Sequence, residues 1–400
     1  MSRYPLEVAD IFRHHGPAWR QQQQGHLSLA QLKVMSAIER CRTAALGGHT
    51  LRCRHCEEMQ IAYNSCRNRH CPKCQSVKAR QWLEARQAEL LPVEYYHVVF
   101  TLPEPLSQLA YHNKAIIYNL LFKAASETLL TIARDPKHLG ANIGVSMVLH
   151  TWGSALTHHP HVHCIVPGGG FSNDGKQWVA CKSGFFLPVR VLSRLFRRLF
   201  IEKLQNCYDA GALQFFAHQR ELKEAQCFKR WCKTLQENEW VVYAKRPFSG
   251  PEAVLAYLSR YTHRVAIANS RLVSDDEQGV TFKWKDYRCK GHKKYKTMTL
   301  ETGEFMRRFL LHVLPSGFHR IRHYGFFSNT TRKTKVSQAL NLLSPPIARE
   351  SALTKEEHPD HSTSISKSVY VCPACGEPMV IVESFLSDSV PRAPPGIKQP

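Results

Sequence analysis

Two short apolar runs near the middle of the chain, Ile143 to Trp152 and His161 to Val166, read as neighbouring strands of a hairpin. Tyr95 to Leu102, rich in aromatic and β-branched residues, reads as a strand before them. Trp240 to Ala244, Arg264 to Val273, Gly279 to Trp284 and Tyr295 to Leu300 read as strands after them, and Gln177 to Ala180 as a short one behind the Asn173-Asp174-Gly175 turn signal. Helical spacing governs most of the rest. Leu27, Leu29, Leu32, Met35 and Ile38 form a broken stripe within residues 1 to about 48. Val77 to Leu91, Leu106 to Arg134 in one or two pieces, Val189 to Tyr208, Glu221 to Glu237 and Phe305 to Val313 follow as helices. Ser249, Pro251 and Glu252 make a capping-box start for a helix that runs to about Thr262. Gly168-Gly169-Gly170 ends the second strand of the hairpin, and from about Ser344 the chain turns polar and rich in Pro and Ser. This order predicts an α+β fold, an antiparallel sheet with helices preceded by a helical module. The expected domains are 1–91, 92–335 and a polar tail, 336–400.

Composition narrows the partners. The 400 residues are 43% hydrophobic, enough for a sizeable core. Fifty-four Lys and Arg against 32 Asp and Glu leave a formal charge of +22. Such an excess favours nucleic acid, because neutralised phosphates release their counterions. No early segment reads as a secretory signal and no apolar run has the length of a membrane span, so the expected setting is a reducing cytoplasm, bacterial and nucleoid-associated, with no membrane partner.

Five cysteines crowd between Cys53 and Cys74. Cys53-x2-Cys56 and Cys71-x2-Cys74 have the spacing of paired zinc knuckles, four thiolates around one Zn²⁺. Cys66, His70, His49 and His55 stand near enough to substitute or to build a second site, and Cys66 reads equally well as a buried thiol. Four protein ligands leave no open position, so this basic knot suits DNA docking better than catalysis. Cys372-Pro373-Ala374-Cys375 is half of such a module with no second pair after it, and it supports no firm metal assignment.

His161 and His163 share one face of a strand and can grip one ion, with His150 across the hairpin as a third ligand and His97 as the next candidate. Tyr257 and Tyr261, at i and i+4 on the later helix, offer two phenols at one place beside Arg260, His263 and Arg264. Histidines on a strand and tyrosines on a helix are more often packing than chemistry. Two or three imidazoles with open positions suit a divalent ion, and a phosphate supplying further oxygens favours Mg²⁺ or Mn²⁺.

The ordered set of Cys-rich knot, Phe100-Thr101-Leu102-Pro103, His150-Thr151-Trp152-Gly153, His159-Pro160-His161-Val162-His163 and Tyr257-Leu258-Ser259-Arg260-Tyr261 resembles the insertion sequence 91 type of transposase. That group belongs to the HUH endonucleases, in which two histidines flank a hydrophobic residue, and the resemblance covers residues 25 to about 330. It implies that His161 and His163 hold the ion at the scissile phosphate. One tyrosine then attacks, leaving a 5′-phosphotyrosine and a free 3′-hydroxyl, and the other serves a second strand. The implied function is rolling-circle DNA transposition by cleaving and rejoining single-stranded element ends, with structural Zn²⁺ in the N-terminal module.

Lys283, Lys285, Arg288, Lys290, Lys293, Lys294 and Lys296, interleaved with Trp284, Tyr287 and Tyr295, suit single-stranded DNA, and Arg260 and Arg264 join them as DNA contacts. His319 to Tyr324 forms a second basic patch. Two other readings stay open: a zinc-dependent DNA-binding protein without catalysis, and a rolling-circle replication initiator or relaxase.

Overall fold

The computed structural model describes residues 5–75, 89–245, 265–286, 289, 291–344 and 370–388. Two helices open it, α1 (Val8–Gln22) and α2 (Leu29–Glu39). The second starts where its sequence says it should: the Ser28 hydroxyl accepts from Gln31 N–H, and the Gln31 side chain accepts from Ser28 N–H at 2.9 Å. Next come β1 (Gly48–Cys53) and β2 (Met59–Tyr63), a hairpin in place of the irregular knot read from the cysteines.

A strand, two helices and a hairpin build the centre: β3 (Tyr95–Thr101), α3 (Ser107–His112), α4 (Lys114–Arg134), β4 (Gly144–Trp152) and β5 (His158–Pro167). Short β6 (Gly169–Phe171) and β7 (Trp178–Ala180) follow, then α5 (Val189–Asp209), α6 (Ala225–Glu237) and β8 (Val242–Lys245). The glycine run does more than end a strand. A Cβ on Gly170 would meet the Asn142 carbonyl oxygen at 2.4 Å, so the close approach of two backbones requires glycine there.

The chain then forms β9 (Leu272–Asp276), β10 (Gly279–Lys285), β11 (Tyr295–Leu300), α7 (Thr302–Leu311), β12 (Ile321–Gly325), α8 (Arg332–Leu343) and β13 (Met379–Phe385). Of the strand read over Arg264 to Val273, residues 265 to 268 carry no strand and the pairing begins at Leu272. The reading of a helix over Val77 to Leu91 falls mostly outside the described residues, as does all of the tyrosine helix.

The architecture is α+β, and every strand pair among the described residues is antiparallel. The central sheet has the order β12-β4-β5-β3-β8. Alternation along its strands separates two faces. Tyr96, Val98, Phe100, Val145, Met147, Leu149, Val162, Cys164 and Val166 join the main core with α4, α5 and α6, where Phe100, Phe196 and Trp240 stack edge to face. His97, His150, His161 and His163 belong to the opposite set. Length and composition alone would let α4 cross a membrane, but 61% of its most apolar window is buried against this protein, as befits a core helix.

A second core unites α1 and α2 with α7 and β10; Phe12 packs edge-on to Phe309 at 5.3 Å between ring centres. The last strand of the chain pairs with the first, Gly48 opposite Phe385 through Cys53 opposite Met379. Residues 370–388 are therefore no loose tail.

Candidate metal centre

Three histidines converge on the polar side of the central sheet. His150 on β4 sits directly opposite His161 on β5, and Val148 opposite His163, so the register stacks the three imidazoles around one point. One ring nitrogen from each of His150, His161 and His163 lies within 4.8 Å of the others. His150 and His163 are buried, 3% and 8% exposed, while His161 is half-buried.

Hydrogen bonds fix which nitrogen each ring presents. His161 Nδ1–H donates to the His159 carbonyl at 2.7 Å; a carbonyl can only accept, so the lone pair sits on Nε2. His163 Nδ1 meets His97 Nε2 at 2.8 Å, with the rings stacked at 5.0 Å and 11°. Ligation through His163 Nε2 makes Nδ1 the donor and His97 the acceptor. His97 thus stands behind the three-histidine cluster, against His163 Nδ1. Trp152 stacks on His150 at 4.6 Å and 19°, which holds the third ring.

A further layer of histidines braces the turn between β4 and β5. His158 Nδ1 donates to the Ser107 carbonyl at 3.1 Å, and Nε2 accepts from the Tyr118 hydroxyl at 2.8 Å. Burial, then the nearby Lys114 charge, pushes the His158 pKa down to about 3. His312 Nε2–H donates to the Leu156 carbonyl at 3.1 Å, and burial likewise pulls its pKa well below the ordinary value. Both rings are therefore neutral structural members.

The donor set fits a divalent ion. Three neutral imidazoles on one side leave coordination positions open on the other, unlike a closed structural site. Imidazole suits Zn²⁺, Fe²⁺ and Ni²⁺ by softness while Mg²⁺ and Mn²⁺ prefer oxygen, so the three rings alone do not choose the metal.

Tyr257, Tyr261, Arg260, Arg264, Arg288 and Lys290 lie outside the described residues. Tyr287 lies outside them too, while the lysines at 283, 285, 293, 294 and 296 are described. Lys283 and Lys293 are exposed on β10 and the turn before β11. Lys285 and Lys294 lie over the Tyr295 ring at 5.0 and 5.4 Å, and Lys296 pairs with Asp286 at 2.9 Å. Ser154, in the turn after the His150 strand, accepts from Arg271 through its carbonyl, and its hydroxyl donates to the Lys285 carbonyl. That bracing seats the hairpin beside the histidine turn. The patch at His319 to Tyr324 is largely structural: Arg320 is 8% exposed and donates to Gln75, and Arg322 lies over the Phe122 and Phe318 rings at 4.4 and 4.9 Å.

The cysteines group differently from their spacing. Cys53 and Cys56 do not meet Cys71 and Cys74. Cys41, Cys66, Cys71 and Cys74 form one set, and Cys53, Cys56, Cys372 and Cys375 another. The reason is the β1–β2 hairpin. Cys53 and Cys56 sit at its tip, and the five residues of β2 carry the chain back by about 17 Å before Cys66. Cys41 follows α2 directly and offers no motif; only its place at the end of a helix leading into the knot marks it. Cys66, left open by spacing, joins that first set. His70 stands apart from both sets: its Nε2 accepts from the Leu314 N–H at 3.4 Å, and burial lowers its pKa to about 3. His49 bonds Ser384, and His55 gives its backbone N–H to Cys53 Sγ.

Comparisons with known proteins add to this geometry. Residues 11–102 match the family model described as "Transposase zinc-binding domain", and residues 144–335 match the one described as "Putative transposase". The protein class is thus a zinc-binding protein of DNA transposition. A Sinorhizobium fredii protein named "Putative transposase y4qJ" is 58% identical over 388 residues, 96% of this chain and 97% of its own length. The transposase for insertion sequence element IS801 of Pseudomonas savastanoi pv. phaseolicola is 25% identical over 333 residues, 81% of this chain and 77% of its own. The chain belongs to the insertion sequence 91 type of transposase. A solved structure of TrwC with a 27-mer DNA comprising a recognition hairpin and cleavage site overlaps 41% of this chain and 71% of that one, at 15% identity and a TM-score of 0.21; so slight an overlap carries no argument.

Proposed function

We propose that this transposase cleaves and rejoins single-stranded DNA at the ends of its element through a 5′-phosphotyrosine, in rolling-circle transposition. The observation that carries the reading is the convergence of His150, His161 and His163 on one point, with His97 and the His159 carbonyl fixing the ring nitrogens that face it. His150, His161 and His163 would hold a divalent ion, Mg²⁺ or Mn²⁺, which would supply a Lewis acid for the scissile phosphate. Tyr257 or Tyr261 forms the new bond from its phenol oxygen to phosphorus. The bond to the 3′-oxygen breaks, and that oxygen leaves as a hydroxyl. The second tyrosine repeats the step on another strand, so the ends exchange with no external energy source. Lys283, Lys285, Lys293, Lys294 and Lys296, with Arg260, Arg264, Arg288 and Lys290, track the DNA backbone, and Tyr295 stacks a base. The zinc of the N-terminal domain sits among Cys41, Cys66, Cys71 and Cys74.

The experiment is covalent capture. The protein is incubated with Mn²⁺ and single strands carrying the sequences that flank its gene, then run on a denaturing gel. A protein–DNA adduct is expected, lost in Tyr257→Phe/Tyr261→Phe and kept in Lys229→Ala on the exposed side of α6. A folded protein that binds these strands yet forms no adduct on any of them would leave the non-catalytic DNA-binding reading standing.

A further inference from the structure

The second cysteine set joins the two ends of the chain, and half of it lies beyond the residues that match the zinc-binding domain. Cys53 Sγ lies 3.5 Å from Cys375 Sγ, and Cys56 Sγ 3.5 Å from Cys372 Sγ, across sequence separations of 322 and 316 residues. A disulfide holds its sulfurs about 2.05 Å apart. A zinc tetrahedron with Zn–S of about 2.3 Å puts them about 3.8 Å apart. The observed spacing belongs with the tetrahedron, and none of the four is in a disulfide.

The two half-sites are built alike. The Cys53 N–H donates to the Glu58 carbonyl at 2.9 Å, and the Cys372 N–H to the Glu377 carbonyl at 2.8 Å. The residue after each second cysteine turns left-handed, Glu57 at φ 60° and Gly376 at φ 78°. Each turn then feeds a strand, β2 from the first and β13 from the second, on either side of β1. Two knuckles of one geometry facing each other across a three-stranded sheet make a zinc ribbon, here assembled from both ends of the sequence.

Among the described residues the apolar core of this ribbon is small. Its buried cluster is Leu51, Cys53, Cys372 and Met379, and two of those four are the cysteines themselves. Ile381 and Val382 on β13 are exposed. So small an apolar core needs a metal to be stable. The other cysteine set differs: Cys41, Cys71 and Cys74 sit inside the large cluster with Phe12, Phe282 and Phe305.

We infer that Cys53, Cys56, Cys372 and Cys375 hold a second structural Zn²⁺, which closes the chain by docking the 370–388 hairpin onto the N-terminal module. Cys56 and Cys375 are exposed, so this zinc leaves to a chelator before the buried one.

The test uses the full-length protein purified under reducing conditions. Metal analysis of the wild type and of Cys372→Ser/Cys375→Ser should differ by one zinc per chain. The difference is the readout, because zinc held elsewhere in the chain is the same in both proteins. Should the double variant fail to fold, alkylation of the wild type decides. Cys53, Cys56, Cys372 and Cys375 should resist iodoacetamide until chelator is added, and then react together before Cys41, Cys71 and Cys74. Equal zinc in wild type and a folded double variant would overturn the assignment. So would prompt alkylation of Cys56 and Cys375 without chelator, iron in place of zinc, or a mass two hydrogens light that marks a disulfide.

Discussion

His97 offers the sharpest test of the imidazole cluster, because it meets His163 on the ring nitrogen that faces away from the cluster. In His97→Phe the ring shape stays in a site that is 2% exposed, while the acceptor 2.8 Å from His163 Nδ1 is removed. The His163 N–H is then left without that partner in a buried setting, at a cost of about 1–3 kcal/mol. That cost falls on the ring orientation and tautomer that ligate metal. Losses at comparable positions weaken metal binding by about 10–100-fold, or about 1.4–2.7 kcal/mol, which matches the first figure. The assay is adduct formation against Mn²⁺ concentration. The half-maximal Mn²⁺ should rise by about 10–100-fold, with most of the plateau rate recovered at saturating metal. His163→Ala should show no such recovery. His97→Gln, which keeps an acceptor on a flexible chain, should fall between wild type and His97→Phe. An unchanged Mn²⁺ midpoint in a folded His97→Phe would refute the orienting role, and so would a plateau loss that no metal concentration restores.

Other outcomes follow from the same structure. Replacing exposed Lys283 and Lys293 with Ala should weaken single-strand binding without regard to sequence, lowering the slope of log affinity against log salt by about 0.7 for each phosphate that is no longer neutralised; an unchanged slope removes the hairpin from the DNA path. Buried neutral His158, held at a pKa of about 3, gains a proton on unfolding below the ordinary value of 6.5. The unfolded state therefore binds more protons between those values, and stability falls with falling pH by about 1.4 kcal/mol per unit from this group. Urea unfolding between pH 7 and 5 should show a shallower pH slope in His158→Gln. Trp152→Ala removes the ring stacked on His150 and should raise the Mn²⁺ requirement, with Trp152→Phe restoring part of it; equal midpoints for all three proteins would make the stack incidental. Cys71→Ser should lower the thermal midpoint of α1, α2 and α7 together, since its set lies within their shared core, and independent melting of these helices would contradict that.

Much of the histidine-bearing sheet is legible in the sequence because its signals are local. The alternation of Val162, Cys164 and Val166 with His161 and His163 sorts the two faces of β5 without knowledge of its neighbours. The short turn between Trp152 and His158 sets the hairpin register that places His150 opposite His161. His97 is harder to read. As a histidine on a third strand it reads as a candidate ligand, and only the pairing of β3 with β5 puts it behind His163. Arg320 and Arg322 read as a DNA patch because charge is visible in a sequence and burial is not.

The cysteines mark the boundary between the two kinds of information. Spacing marks cysteine pairs that can share a metal, because a Cys-x2-Cys turn carries its own geometry wherever it lies. It cannot say which turns meet. Partner choice depends on β2 reversing the chain away from the first knuckle and on β13 returning to pair with β1. By itself, then, the sequence determined the basic α+β character, the metal-binding residue types and the strand that presents two histidines, since each rests on neighbours within a few residues. Tertiary structure alone decided which cysteines and which histidines stand together, the place of His97 behind His163 and the pairing of the 370–388 segment with β1, since those rest on pairings between residues tens to hundreds of positions apart, which no local period encodes.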